Sequence, residues 1–184
     1  GDVYKRQVLA EESGKREGGE YTWVIDPLDG TTNFIHGFPQ FAVSIAVLKK
    51  QTIEHGVVYD PLRNELFTAS RGQGAQLNER RIRVSQCAKL ETALLGTGFP
   101  FRELDRLDQW TKMFRTLSRR SAGIRRTGSA ALDLAYVAAG RMDGFWEFGL
   151  EAWDMAAGAL LIREAGGLIS DPEGSQDFLD TGNV

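Results

Sequence analysis

The segment Tyr21-Thr22-Trp23-Val24-Ile25-Asp26-Pro27-Leu28-Asp29-Gly30-Thr31-Thr32-Asn33 constrains this chain more than any other stretch. Its first five residues are aromatic and β-branched, the composition of a buried strand. The run breaks at Asp26-Pro27, so the strand is expected to end in a carboxylate, with a helix-like turn after it. Pro27 fixes the backbone and Gly30 permits close approach of a ligand. Two carboxylates three positions apart ask for a cation. Hard cations such as Mg²⁺ take carboxylate, carbonyl and water oxygens and commonly share them with a substrate phosphate. The Leu28 carbonyl could supply one such oxygen. Exposed amides at Thr31 and Thr32, opening a helical turn, would form a phosphate cradle. Taken singly, Asp-Pro and Asp-Gly are ordinary turn dipeptides. Fused behind a buried strand, they read as the two halves of one metal-phosphate site.

The remaining pattern supplies a frame for that loop. Phe41 to Leu48, Ile53 to Tyr59 and Glu65 to Ala69 are apolar runs separated by polar or Asp-Pro breaks, an antiparallel meander. Turns are expected around Arg71 to Ala75 and Asn78 to Arg80, strands at Ile82 to Val84 and within Ala93 to Gly98. From Glu103 to Ser118, Leu104, Leu107, Trp110, Met113, Phe114 and Leu117 recur at helical spacing, an amphipathic helix. Ser129 to Ala139 ends at Gly140, and Asp154 to Ala165 ends at Gly166-Gly167; both read as buried helices closed by glycine. Asp143 to Phe148 and Leu168 to Ser170 read as strands beside them. The expected architecture is α/β or α+β, with alternating layers of sheet and helix. A length of 184 residues, 42% of them hydrophobic, suits one domain with a single sizeable core.

Charge and composition narrow the function classes. With 22 basic and 25 acidic residues the net charge is only -3, so no global pull toward nucleic acid or an acidic membrane is expected. No stretch approaches the ~20 apolar residues of a membrane span, and the opening residues lack a signal-peptide core. The single Cys87 cannot form an internal disulfide; a cytoplasmic location is expected. Cys87 also lacks the basic or histidine neighbour of a nucleophile, and His36 and His55 lack partners at metal-ligand spacing. Arg80-Arg81 with Arg83, Arg119-Arg120 and Arg125-Arg126 read as solvated charge. Together they could form a local basic patch, which keeps a nucleic-acid or protein-binding role open.

Four further carboxylates stand out. On spacing alone, Glu11 and Glu12 read as a solvated pair. Asp154, in Trp153-Asp154-Met155-Ala156-Ala157-Gly158, opens an apolar helix and reads equally as an N-cap or as a site carboxylate. Glu147, within Phe145-Trp146-Glu147-Phe148, points opposite to its aromatic neighbours on a strand and requires a polar partner.

Asp26 to Asn33 resembles the first signature of the inositol monophosphatase family. Trp153-Asp154 with Ala156, Gly158 and Glu164-Ala165-Gly166-Gly167 resembles the second, and both occur in family order. Leu9-Ala10-Glu11-Glu12-Ser13 is similar to the family's upstream acidic segment, and Gly128-Ser129-Ala130-Ala131 with Glu147 to its substrate-contact region. The resemblance covers residues 8 to 184. Tyr59-Asp60-Pro61, Asn64 to Phe67 and Arg125 to Leu134 look closest to the bacterial SuhB-like branch.

The resemblance implies the layered α-β-α-β-α sandwich of Mg²⁺-dependent, Li⁺-sensitive sugar phosphatases. It implies two or three Mg²⁺ per site, one on Glu11, Asp26 and the Leu28 carbonyl, a second on Asp26, Asp29 and Asp154. Glu11 and the Thr31 hydroxyl would orient and deprotonate a water that attacks phosphorus in line. Gly30 and Thr31 amides would hold phosphate oxygens, and Ala130, Glu147 and Asp154 would face the substrate's hydroxyls. The implied substrate is myo-inositol 1-phosphate; fructose 1,6-bisphosphate, histidinol phosphate and 3′-phosphoadenosine nucleotides are alternatives within the superfamily. A homodimer and a partner in RNA or the transcription machinery are also implied. Against the family pattern, Gly1 to Gln7 look foreign, the N-terminal helix pair is expected to be missing, and the chain is expected to stop before a final strand and helix.

Overall fold

The computed structural model describes residues 7–10, 14–16, 20–101 and 104–184. Its largest element is an eight-stranded sheet. The strands are β1 (Gln7–Ala10), β2 (Gly14–Arg16), β3 (Tyr21–Asp29), β4 (Ala42–Lys49), β5 (Thr52–Asp60), β6 (Glu65–Ser70), β7 (Gly74–Leu77) and β8 (Arg80–Arg81). They run in the order β2-β1-β3-β4-β5-β6-β7-β8, antiparallel throughout except for the parallel β1–β3 pair. The meander is therefore as the alternation of apolar runs requires. Along β4, Ala42, Ser44 and Ala46 are buried while Val43, Ile45 and Val47 are half-buried, so one face carries the core and the other is more open.

The strand β3 does not stop at Asp26. It continues through Pro27 and Leu28 to Asp29, and its pairing with β4 slips between Asp26 (opposite Ser44) and Asp29 (opposite Ala42). Proline has no N–H for the ladder, and a bulge is where a strand accommodates it. The slip has a chemical consequence. In a regular strand, residues three apart point to opposite faces. The extra residue turns Asp26 and Asp29 toward the same side, where both are buried.

Two helices cover the sheet. The helix α4 (Ala152–Glu164) crosses β4, β5 and β6, and α3 (Ala130–Ala138) packs on α4. All nine residues of α3 are buried, as its Ala/Leu composition demands of a helix with no polar face. Beyond α3 lies a second, parallel sheet: β10 (Gly123–Arg125), β9 (Leu94–Thr97) and β11 (Gly144–Trp146), in that order. Phe145 packs into the core shared with α3 and α4, whereas Trp146, one residue on, joins Leu95, Phe148 and Trp110 on the opposite face. The helix α2 (Leu107–Ser118) closes that face with Trp110, Met113, Phe114 and Leu117. The order sheet, helices, sheet, helix makes the chain an α/β sandwich. Two short helices, α1 (Thr31–Ile35) and α5 (Phe178–Thr181), lie outside these layers.

Several expectations are corrected. Ile82 to Val84 forms no strand; it runs on from β8 as irregular chain tied by Ile82 N–H to the Ala75 carbonyl and Val84 N–H to the Ala165 carbonyl. Leu168 to Ser170 is also irregular, and Leu168 is almost fully exposed. The turn expected from Arg71 to Ala75 is shorter, because β7 already starts at Gly74. Leu104 precedes α2 in a single 3₁₀ turn, and both Leu104 and Leu107 are exposed rather than on the buried stripe. The helix α4 begins at Ala152, two residues earlier than Asp154 suggested. The strand β10 is missed because three residues carry no readable period.

Candidate active site

The turn after β3 is the first component. Gly30 takes a left-handed conformation (φ 87°), and a Cβ there would lie 2.9 Å from the Gln40 carbonyl oxygen and 3.2 Å from that of Gly128. Only glycine fits such a position, by backbone angle and by space. Among the described residues, the amides of Gly30, Thr31 and Thr32 donate to no protein acceptor. The Asn33 side-chain amide donates to the carbonyls of Gln40 (2.7 Å) and Thr127 (3.0 Å), clamping α1 against the segment that leads into α3. The Asp26 carboxylate accepts from the Leu28 N–H at 2.8 Å, and the Thr31 hydroxyl donates to the Leu28 carbonyl at 2.9 Å.

The second component is the acidic cluster. Asp26, Asp29 and Asp154 each offer a carboxylate oxygen, and these oxygens lie within 4.8 Å of one another. All three residues are buried. Each comes from a different constraint. Asp26 and Asp29 are brought to one side by the β3 bulge. Asp154 is held on the first turn of α4, where its Oδ2 accepts from the Glu151 N–H at 2.8 Å in a capping box. The alternative open from the sequence thus resolves both ways: Glu151 is the N-cap, and Asp154 serves the helix start as well as the cluster. Asp29 is fixed from α3. Its Oδ2 accepts from the Ser129 hydroxyl in a very short bond and from the Ala131 N–H at 3.0 Å.

Electrostatically, the cluster is a concentration of buried acid. Burial, opposed by the Ser129 hydrogen bond and reinforced by the Asp154 charge, pushes Asp29 up to about 7. Burial pushes Glu147 up to about 8, with the charges of Asp133, Asp29 and Asp154 adding to it and Arg126 opposing. Asp133 is likewise pushed up to about 8 by burial, against the hydrogen bond from the Thr127 hydroxyl at 2.7 Å. Three carboxylates close together in a buried setting suit a hard divalent ion.

The third component is a cleft of 180 Å³ bordered by Asp29, Asp154, Gly98, Arg126, Ala130 and Glu147. Glu147 reaches it from just beyond β11, where its N–H and C=O pair with Val184 at 2.9 and 3.0 Å. Its carboxyl has no hydrogen-bond partner among the described residues, and the charge of Arg126 is the polar influence that favours its ionised form. A larger hollow of 380 Å³, lined by Met142, Phe145, Ile162 and their neighbours, contains no such cluster.

The structure therefore brings together Asp26, Leu28, Asp29, Gly30, Thr31, Ala130, Glu147 and Asp154. Glu11 lies outside the described residues. The preceding Ala10 stands beside Ile25, one residue before Asp26, on the parallel strands β1 and β3. Of the residues set aside, His55 shares a 3.0 Å contact with the Ser70 hydroxyl and Cys87 is exposed. Sequence reasoning gave Asp133 and Gly98 no place in the site, and held Ser129 and Asn33 only as members of motifs, without a role. Ser129 carried one readable signal, a hydroxyl before an Ala-rich run, and it does cap α3 by accepting from the Leu132 N–H. That the same hydroxyl fixes Asp29 required knowing that α3 meets β3.

Comparison with known proteins agrees with this geometry. The model described as "Inositol monophosphatase family" matches residues 2–184. The chain is 63% identical to the Nus factor SuhB of Pseudomonas aeruginosa, an alignment covering 96% of this chain and 68% of that protein. It is 54% identical to an inositol-1-monophosphatase of Mesorhizobium japonicum, covering 96% and 67% respectively. The crystal structure of extragenic suppressor protein SuhB from Bartonella henselae superposes with a TM-score of 0.94 at 50% identity, over 97% of this chain and 69% of that one.

Proposed function

Because the chain belongs to the inositol monophosphatase family, we propose that it hydrolyses a phosphate monoester with Mg²⁺, and that its substrate is myo-inositol 1-phosphate. The observation that carries this reading is the placement of three buried carboxylates, within 4.8 Å of one another, beside a turn with unused amides. Asp26, Asp29, Asp154 and the Leu28 carbonyl would hold the metal, with Glu11 completing the set implied by the family. When bound, Mg²⁺ supplies Lewis acidity at the phosphate oxygens and acidifies a coordinated water.

The protein's own groups do the rest. The amides of Gly30 and Thr31 take phosphate oxygens, in a turn that Gly30's conformation and the Asn33 clamp hold in shape. The Thr31 hydroxyl donates its hydrogen bond to the Leu28 carbonyl, leaving a lone pair to accept a hydrogen bond from the attacking water, whose proton passes to Glu11. Glu147 accepts from the hydroxyls of the alcohol half, and Ala130 presents a small surface to it. A homodimer and inhibition by Li⁺ belong to the same reading. The test is phosphate release from a panel of monoesters. Mg²⁺-dependent release from myo-inositol 1-phosphate, with Thr31→Ala lowering kcat by at least tenfold, is the expected result. Metal-independent release, or none from any monoester, would refute it.

A second reading rests on a different surface. Lys112, Arg115, Arg119 and Arg120 line one exposed groove along the C-terminal half of α2, and a relative carries the name Nus factor. A role in binding RNA or a transcription partner through this groove would make affinity fall steeply with salt. A flat salt response, or unchanged affinity in an Arg115→Gln/Arg119→Gln variant, would remove it.

A further inference from the structure

Gly98 ends the strand run that enters the cleft, directly beneath Glu147. A Cβ built on Gly98 would lie 1.9 Å from both Cδ and Oε1 of Glu147 and 2.2 Å from Oε2. The carboxyl of Glu147 thus occupies the space that any side chain at position 98 would fill. Gly98 does not have a positive φ, so its backbone is open to other residues and the conflict is one of space alone.

Neither backbone can yield easily. Glu147 is held by two hydrogen bonds to Val184. Gly98 is held from the other side of the second sheet. The indole N–H of the buried Trp110 donates to the Thr97 hydroxyl at 3.0 Å, and that hydroxyl donates to the Gly98 carbonyl at 3.2 Å. What can move is the end of the Glu147 side chain, which has no hydrogen bond to hold it among the described residues. A methyl group at position 98 would therefore turn the carboxyl away and leave the fold in place.

We propose that Gly98 is the positioning residue for substrate selection: its missing side chain is the space that lets the Glu147 carboxyl face the alcohol half of the substrate. The inference rests on the phosphatase reading above. It adds that the preference for hydroxyl-rich alcohols, rather than hydrolysis itself, depends on position 98. The metal cluster and the phosphate turn lie on β3, α1 and α4, whereas the atoms nearest to a Cβ on Gly98 belong to Glu147.

The experiment compares the parent chain with Gly98→Ala, Glu147→Gln and the double variant Gly98→Ala/Glu147→Asp. Each is assayed on myo-inositol 1-phosphate and on p-nitrophenyl phosphate, an ester with no hydroxyls on its leaving group. Gly98→Ala should lower the ratio of the two kcat/KM values by about tenfold, as loss of a hydrogen-bond acceptor does. Shortening the acid to Asp relieves the overlap, so the double variant should recover part of that ratio. An unchanged ratio in Gly98→Ala, or no recovery in the double variant, overturns the proposal. If Glu147→Gln alone leaves the ratio unchanged, it is the role given to Glu147 that fails.

Two further measurements keep the question decidable. Should Gly98→Ala fail to fold, Gly98→Ala/Glu147→Ala must restore the melt; if it does not, the overlap with Glu147 is not the cause and the proposal falls. Should the parent release no phosphate at all, the phosphatase reading fails by itself. Carbon NMR of the Glu147 carboxyl then reads the displacement directly: its resonance should shift in Gly98→Ala, and an unmoved resonance would contradict displacement.

Discussion

The Ser129 hydroxyl donates to the Asp29 carboxylate across 100 residues of sequence, joining the cap of α3 to the bulged end of β3. One side chain thus ends a helix and aims a carboxylate. The bond also sets the chemistry of that carboxylate, since it opposes the burial that drives Asp29's proton affinity up.

Ser129→Ala removes that opposition. A hydrogen bond to an ionised group is worth about 1.5–3 kcal/mol, so Asp29 should hold its proton to higher pH and compete less well for metal near neutrality. Calorimetric Mg²⁺ titration at neutral pH should show at least a tenfold weaker affinity, with much of the loss recovered at higher pH. Affinity equal to the parent's would show that the Ser129 bond does not tune the cluster.

The metal-free protein should become less stable as pH rises. The folded-state values of Asp29, Glu147 and Asp133 are raised above their ordinary ones, to about 7, 8 and 8. The folded state then binds more protons than the unfolded state between the ordinary carboxylate range and about 8. Stability from these groups is complete below that window and is lost as pH climbs through it. Thermal melts in chelator should fall from pH 5 toward pH 8.5, and saturating Mg²⁺ should flatten the decline by offsetting the charges. A metal-free melting temperature that rises across this range would contradict the burial of these acids.

Much of the frame was legible in the sequence because the physics that forms it is local. Separated apolar runs gave the meander of β4 to β6, an aromatic and β-branched run gave β3, and Ala/Leu runs closed by glycine gave α3 and α4. The Asp26 to Asn33 segment carried the core of the site, since strand, bulge and turn are contiguous there. What stayed hidden depends on contacts between distant segments. The bulge that turns Asp26 and Asp29 to one side is set by pairing with β4. The space left at Gly98 for Glu147 depends on the neighbouring strands β9 and β11. The exposure of Leu104 and Leu107 shows the reverse error, a helical period that was real but whose stripe extends past the surface it covers.

Gly30→Ala should disable the site and weaken the fold together. The left-handed backbone and the carbonyls of Gln40 and Gly128 leave no room for a Cβ, and such strain costs about 1–3 kcal/mol. For a chain of this size that lowers the melting temperature by several degrees, at about 2–4 °C per kcal/mol. Differential scanning calorimetry checks the first effect and phosphate release the second. A variant with parent-like melting and turnover would show that the turn does not need its glycine.

The most direct test of the carboxylate cluster is a Mg²⁺ titration of the parent chain and of Asp154→Asn, following binding heat and phosphate release from myo-inositol 1-phosphate in the same samples. Asparagine keeps an oxygen to accept from the Glu151 N–H, so the start of α4 should survive while the charge is lost. The parent should bind Mg²⁺ and release phosphate, and Asp154→Asn should lose both while melting as the parent does. Parent-like Mg²⁺ affinity in Asp154→Asn would contradict the assignment of Asp26, Asp29 and Asp154 as the metal site.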